Sequence, residues 1–579
     1  MDTCLDDYPG CRASPGRWMP PTGTGPSDRG VGTVTFTLSN VFATVAAANP
    51  DREFLVWRDR RVTYGETDRR SSGFANYLAR RGIGCHIERS ALAGYVSGQD
   101  HVGVYLRNCT EYPEVLIGAY RARAVPFNVN YRYVAEELSY LLRDARVRVL
   151  VYQDDFAPRV AAVLPDLTGP VLLIQVADNS GNALLPGAVR YEDVVTTPAP
   201  EGGLPATRGE DLYLLYTGGT TGMPKGVLWR QEDVYFAAMG GTRFGTADEI
   251  ASYEELAGSA TATAGMYRLA VAAPFMHGAA QWLLFQTVTN GGTLVLAPVV
   301  DRFDAAALLD VVDRERVIAL PLVGDAMARP VAAELERGSY RLESLAAVHN
   351  AGAPLTPAVR ERLVAAFGKP VLVVDSVGSS ESGIQMTRVF TGADSAGGDF
   401  VPAGGDTAVI DEDLSRVLDE PGAHGWLGRK GRIPLGYLGD AQKTARTFPV
   451  VDGVRWSLAG DRANVRADGQ IELLGRDNLT VNSGGEKIYV EEVERAVAAH
   501  PGVLDVVVVG RPSERWGSEV VALVQLGDDT ISDEELLAEC AVHIARYKLP
   551  KLIVRCPEIL RSPAGKADYR WAHDRAVEA

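Results

Sequence analysis

Tyr216–Val227 reads YTGGTTGMPKGV, and the apolar run Asp211–Tyr216, DLYLLY, delivers the chain directly into it. Glycine tolerates positive φ and lets backbone N–H groups approach an anion, while threonine hydroxyls add donors. Thr217, Gly218, Gly219, Thr220, Thr221 and Gly222, followed by Lys225, therefore spell a loop suited to phosphate. It is not a Walker A loop, which needs Gly-Lys-Ser/Thr in succession; here Met223 and Pro224 precede Lys225 and Gly226 follows it. A P-loop NTPase fold is disfavoured. Taken alone, a glycine-threonine turn after a strand is as often structural as functional, so the rest of the chain decides.

The chain has 579 residues, more than one compact domain holds, with 46% apolar and 23% charged residues. That composition fits a globular enzyme of several lobes and excludes a disordered or fibrous protein. A formal charge of −16 argues against a nucleic-acid or anionic-membrane surface, so an anionic ligand has to be held locally. Six cysteines lie scattered without CxxC or Cys/His ligand spacing, which favours free thiols in a reducing compartment. No apolar run reaches the roughly 20 residues of a membrane span, and MDTCLDDYPG lacks the basic-then-apolar pattern of a signal peptide. A cytoplasmic location is expected.

Residues 1–34 are rich in Gly, Pro and Ser with no periodicity that could bury a face, and read as a disordered extension. From there helical patterns alternate with the short apolar runs HVGVYL, RVLVYQ, PVLLIQV, DLYLLYT, GTLVLAP and KPVLVVDS. Such alternation predicts α/β layers with largely parallel sheets. After a boundary near 475–480 the texture changes to strand, glycine-rich loop, helix, two strands and helix, a small α+β module over 477–579 following a large domain over 35–476. His86–Gln99 reads as a loop insertion.

Four further stretches follow the opening one: Asn350–Leu355 (NAGAPL), Asp375–Gly383 (DSVGSSESG), Gly436–Phe448 (GYLGDAQKTARTF) with Ala459–Asp461 (AGD) and Leu474–Asn478 (LGRDN), and Arg561–Arg570 (RSPAGKADYR). Together, in this order, they resemble the adenylate-forming superfamily of acyl-CoA synthetases, luciferases and nonribosomal adenylation domains. Within it the chain looks most similar to acyl-CoA synthetases that activate fatty acids and steroid side-chain carboxylates. The resemblance implies a large AMP-binding domain, a small mobile C-terminal domain, and ATP, Mg²⁺ and coenzyme A as cosubstrates. It also implies the chemistry. A carboxylate is a poor electrophile, and transfer of AMP to it creates a good leaving group that a thiol then displaces.

By that resemblance Thr217 to Gly222 and Lys225 cradle the β and γ phosphates, and Thr217 and Glu381 serve Mg²⁺, a hard cation that takes oxygen ligands. Ala351, Gly352, Ala353 and Pro354 line the adenine pocket with Asp375, Ser376, Val377, Gly378, Ser379 and Ser380. Asp461 accepts the ribose hydroxyls and Arg476 contacts the ribose or phosphate. Lys566 is the catalytic cation that bridges the substrate carboxylate and the α-phosphate. His277 gates the carboxylate beside the acyl and pantetheine tunnels, which Gln281, Trp282, Val323, Gly324 and Asp325 help to shape; Gly484, Gly485 and Lys487 line the thiol tunnel after the small domain rotates. For several of these residues a plainer reading stands beside the functional one: a solvated loop carboxylate for Glu381, a packed histidine for His277, a surface lysine for Lys566 and an ordinary turn for Gly484–Gly485.

The chain departs from the family pattern at Val377, where tyrosine usually stacks on adenine, at Gly218 and Ser380, and at the hinge, where Asn478 stands for the common Asp or Lys. The expected partners are small molecules, a carboxylic acid, ATP and coenzyme A, with no nucleic acid and no membrane span; a homodimer is left open. Transfer of the acyl group to a carrier protein by a stand-alone adenylating enzyme, luciferase-type oxidation and non-catalytic nucleotide binding are the alternatives.

Overall fold

The structure, a computed structural model, describes residues 34–579 apart from 218–222, 244–245, 247, 264, 353–354, 356, 392–399, 403–404, 469, 477–479, 529 and 561–568. All but the last residue of the expected N-terminal extension lies outside the described residues.

The short β-branched runs become buried parallel strands. One five-stranded sheet, wholly parallel, runs in the order Val125–Asn128, His101–Tyr105, Val147–Gln153, Leu172–Val176, Val189–Arg190. Its first two strands are buried along their whole length, the condition that helices on both faces create. A nine-stranded sheet carries Glu53–Trp57, Thr293–Leu296, Arg268–Val271, Ala319–Leu322, Ala347–Ala351 and Leu372–Ser379 side by side and parallel. Ligands of such sheets lie beyond the carboxyl ends of the strands, so the turns after Leu322, Ala351 and Ser379 matter most here.

The run that opened the reading does not join either parallel sheet. Leu212–Thr217 pairs antiparallel with Lys225–Arg230, and Gly436–Tyr437 pairs antiparallel with the other edge of Lys225–Arg230. A five-stranded antiparallel sheet, including Ser457–Val465 and Ile471–Arg476, completes the large domain.

Beyond Arg476 the chain builds a sheet of its own. Its order is Glu486–Tyr489, Thr480–Ser483, Gly517–Leu526, Val503–Ser513, with Leu552–Arg555 also paired to Gly517–Leu526. Val490–Ala498 and Asp533–His543 close one face, packing Val493 and Leu536 onto Val481 and Ile488, and Tyr569–Glu578 closes the other over Val507 and Val521. The start of Asp533–His543 is set locally, because Ser532 and Glu535 form a reciprocal capping box.

The His86–Gln99 insertion folds back on the large domain. Cys85 and Gln99 bridge its ends, Arg123 grips Glu88 at 2.9 Å and Asp211 at 2.7 Å, and the Tyr95 carbonyl accepts the Gly439 N–H at 2.7 Å. That last contact braces the turn leading into helix Ala441–Thr447.

Candidate functional site

Thr217 and Lys225 are register partners, so the loop between them is the tip of a hairpin; Gly218, Gly219, Thr220, Thr221 and Gly222 lie outside the described residues. On the neighbouring strand Tyr437 stands opposite Val227 and donates its hydroxyl to Glu381 Oε1 at 2.8 Å. The Glu381 turn is fastened on every side. Its N–H donates to Ser379 Oγ at 3.2 Å, its carbonyl accepts Ser457 Oγ at 2.5 Å, and the Ser380 carbonyl accepts Trp229 Nε1 at 2.9 Å. Arg429 donates to the Ser382 and Ile384 carbonyls, and burial brings its guanidinium down to about 10. Glu381 is thus a half-buried carboxylate held at one address, which a solvated loop residue is not.

Lys443, on helix Ala441–Thr447, completes this corner. Its Nζ lies 4.6 Å from the centre of the Tyr437 ring. Burial, and then Lys225 within hydrogen-bonding reach, bring its pKa down to about 7, with Glu381 and Asp440 acting in the opposite sense.

The second side of the site is the row of strand ends. Asn350 links them: its side-chain oxygen accepts the Gly324 N–H at 2.7 Å and its Nδ2 donates to Asp375 Oδ1 at 2.7 Å. Asp375 also accepts from Arg388, with Nε at 2.9 Å from Oδ2, so its carboxylate is committed to bracing adjacent strands. Ala351 and Ser376 are register partners; Gly352 follows at φ +83°, and Ala353 and Pro354 lie outside the described residues. Val377 packs against the cluster around Met386 and Val409. Gly378 sits at a register irregularity where an added Cβ would come within 2.2 Å of the Gly383 carbonyl oxygen. Asp461 and Arg476 are partners across adjacent strands.

On the third side His277 precedes helix Gly278–Thr289 and its Nε2 lies 3.2 Å from Glu486 Oε1, on the small domain. Gln281 is buried with its amide engaged by the Tyr213 hydroxyl and the Phe275 carbonyl, and Trp282 is buried beside it. Gly484 and Gly485 form the two-residue turn between Ser483 and Glu486, at φ +59° and +85°, the primed geometry that strongly favours glycine. The turn points at the large domain, since a Cβ on Gly485 would lie 2.6 Å from Val323 Cγ1. Lys487 is the register partner of Asn482; Lys566 and Asn478 lie outside the described residues.

The sequence reading passed over the polar groups between the domains. Arg132 pairs with Glu486; burial opposes the Glu486 charge, yet His277, Arg132 and Lys548 outweigh it and hold that carboxyl at about 2. Lys548, itself buried, donates to Glu137 of the large domain at 2.7 Å and to Glu492 at 2.5 Å. Asn130 Nδ2 donates to the Tyr547 hydroxyl at 3.3 Å. Nothing in local spacing announces these contacts, although the run ARYKLP (Ala545–Pro550) carries two of the residues.

Among the described residues no three His, Cys, Asp or Glu side chains gather as a metal cage. A lone carboxylate beside a phosphate loop is nevertheless the donor set magnesium uses, since it completes its shell with water and substrate phosphate. Among the described residues no helix is long and apolar enough to cross a membrane.

The hairpin closed by Thr217 and Lys225, the carboxylate of Glu381 fastened by Tyr437 and a small domain that meets the large one at a glycine turn together give an adenylate-forming architecture. The chain belongs to the AMP-binding enzyme family: the family model matches residues 42–432, and the model of the AMP-binding enzyme C-terminal domain matches 492–566. It is 52% identical over 553 residues to the medium-chain acyl-CoA ligase Mig of Mycobacterium avium, covering 94% of this chain and 99% of that protein. It is 37% identical over 536 residues to a 3-oxocholest-4-en-26-oate–CoA ligase of Rhodococcus rhodochrous, covering 91% of this chain and 93% of that one. Among solved structures, the amide bond synthetase McbA of Marinactinospora thermotolerans shares the fold with a TM-score of 0.74 at 21% identity, over 94% of this chain and all of that one.

Proposed function

We propose that this protein is an ATP-dependent acid:CoA ligase that makes an acyl-adenylate and then an acyl-CoA thioester from a medium- or long-chain fatty acid or a steroid side-chain carboxylate. The observation that carries this reading is that two half-sites adjoin: Asn128 Nδ2 donates to the carbonyl of Tyr216, which leads into the hairpin, and to that of Met276, which precedes His277. Lys225, Glu381 and Tyr437 form a phosphate corner, while His277 meets Glu486 next to the glycine turn that abuts Val323. The acid classes follow from the names of the 52% and 37% identical relatives. With ATP and coenzyme A as cosubstrates, the working place is the cytoplasm.

In this mechanism the hairpin and Lys225 hold the β and γ phosphates, and Glu381, oriented by Tyr437, faces them. Magnesium, which Glu381 and Thr217 would hold with phosphate oxygens, would withdraw charge from the departing pyrophosphate. Lys566 neutralises the carboxylate and the α-phosphate as they meet, and His277 positions the acid. The docked arrangement, with Gly485 at Val323, is the one that serves thiol attack. Gly485→Ala is accordingly expected to slow thioester formation from supplied acyl-adenylate about tenfold, because its Cβ would lie 2.6 Å from Val323 Cγ1 in the docked arrangement and overpacking of that kind costs about 1–3 kcal/mol, and to leave adenylation unchanged. Single-turnover assays of the two steps read this directly.

The test of the function is AMP release from ATP and Mg²⁺ with a panel of acids, from acetate through long fatty acids to steroid side-chain acids, with and without coenzyme A. AMP and a thioester only when both acid and coenzyme A are present is the expected result. Acyl-adenylate that forms while coenzyme A changes nothing would overturn the ligase reading in favour of a carrier-protein acceptor.

A further inference from the structure

Lys443 has no role in the reading above, yet its backbone is set with care. Asp440 Oδ1 accepts the Lys443 N–H at 2.8 Å, Thr444 Oγ1 accepts the Tyr437 N–H at 2.9 Å, and Tyr95 in the insertion braces Gly439. The amine this geometry presents lies 4.6 Å from the centre of the Tyr437 ring, and Tyr437 in turn stands opposite Val227, two residues beyond Lys225 on the hairpin strand, and reaches Glu381 with its hydroxyl. Among the described residues neither lysine forms an ion pair, and Glu381, the nearby carboxylate, has Oε1 engaged by Tyr437. Two lysines gathered at one corner resist carrying charge together, and the arrangement becomes favourable once an anion bridges them. Lys225 closes the phosphate hairpin, so that anion belongs at the hairpin mouth.

We propose that Lys443 and Lys225 form a two-lysine clamp on the pyrophosphate portion of ATP, Lys443 being a binding residue for the β and γ phosphates and for the leaving pyrophosphate. The clamp rests on the adenylating reading. It makes the insertion at His86–Gln99 a brace of the site, since Tyr95 supports the turn that carries Lys443.

The test uses the full-length enzyme, with binding of ATP, inorganic pyrophosphate and AMP measured by calorimetry for the wild type, Lys443→Met and Lys443→Arg. Lys443→Met keeps the aliphatic stem over Tyr437 and removes the charge. It should weaken ATP and pyrophosphate about tenfold, the value of one charge-assisted contact, and leave AMP unchanged; Lys443→Arg should recover most of the loss. Equal weakening of AMP and ATP would mean a structural role, and no change in either would mean no contact; both overturn the clamp. Failure of every acid to support AMP release in the wild type would overturn the ligase reading and leave the clamp standing if ATP and pyrophosphate still respond to Lys443.

Discussion

Lys566→Ala is expected to lower acyl-adenylate formation on the order of a hundred- to thousandfold, the loss that follows removal of one group aimed at developing charge, while thioester formation from supplied acyl-adenylate continues. The two reactants of the first step are both anions, so in the proposed mechanism a cation that reaches both acts twice, drawing the carboxylate to the phosphorus and stabilising the pentacovalent charge. The second step has a neutral acyl centre and a thiol, and the proposed mechanism assigns to it the Gly484–Gly485 turn, which lies against Val323. The turn opens the strand Glu486–Tyr489, and Lys566 precedes the helix Tyr569–Glu578 that covers the opposite face of the sheet. Separate assays of the half-reactions check the division, and equal loss of both would refute it. Glu381→Gln offers a contrast. It keeps a carbonyl oxygen for the Tyr437 hydroxyl but removes charge from the phosphate corner, so it should slow adenylation and shift the magnesium dependence to higher concentration without weakening AMP binding, which metal titration of the first half-reaction measures.

How much of this could be read beforehand depended on distance along the chain. The parallel strands were legible because burial on two faces demands continuous β-branched runs such as Val147–Gln153 and Leu172–Val176. The phosphate hairpin was legible as a loop, since its glycines, threonines and lysine sit within ten residues, but its antiparallel setting depends on Gly436–Tyr437, far downstream. Glu381 could be picked from its surroundings in DSVGSSESG, whereas the groups that fasten its turn could not. Tyr437, Ser457 and Trp229 lie 56, 76 and about 150 residues away, too far for any periodicity to connect them. Asp375 adds a role that its motif does not announce, since its carboxylate accepts from Asn350 and Arg388 within the sheet. The domain interface was the least legible part, because Lys548 and Glu137 are 411 residues apart and each alone reads as an ordinary surface charge.

That interface yields the second large effect. Lys548→Met should weaken docking of the small domain by about 3–5 kcal/mol, because it strands buried carboxylates without their cation. Glu137 and Glu492 are almost fully buried, and Glu492 Oε2 has no hydrogen-bond partner among the described residues, so one ammonium serves two acids and the cluster favours holding an extra proton. Burial, with Glu137 adding to it, pushes the Glu492 carboxyl up toward about 8 against the attraction of Lys548. The sign follows from linkage: a carboxyl raised in the folded protein contributes stability that is fully present below the ordinary carboxylate range and is lost as pH rises toward the raised value, and Glu137 supplies the part of that shift that comes from the large domain. In Lys548→Met both acids lose their cation, and the same loss deepens. The thioester half-reaction of the variant should therefore fall steeply between about pH 5 and pH 8, whereas adenylation, which uses another domain arrangement, stays near wild type. Glu137→Gln, which removes only the large-domain partner and leaves the Lys548–Glu492 pair inside the small domain, should reproduce the selective loss without unfolding that domain. Stopped-flow thioester formation from supplied acyl-adenylate across pH, alongside thermal unfolding of each variant, distinguishes the outcomes: a selective, pH-dependent loss supports docking through Lys548, and an equal loss of both half-reactions with a lowered unfolding midpoint assigns Lys548 to the stability of the small domain instead.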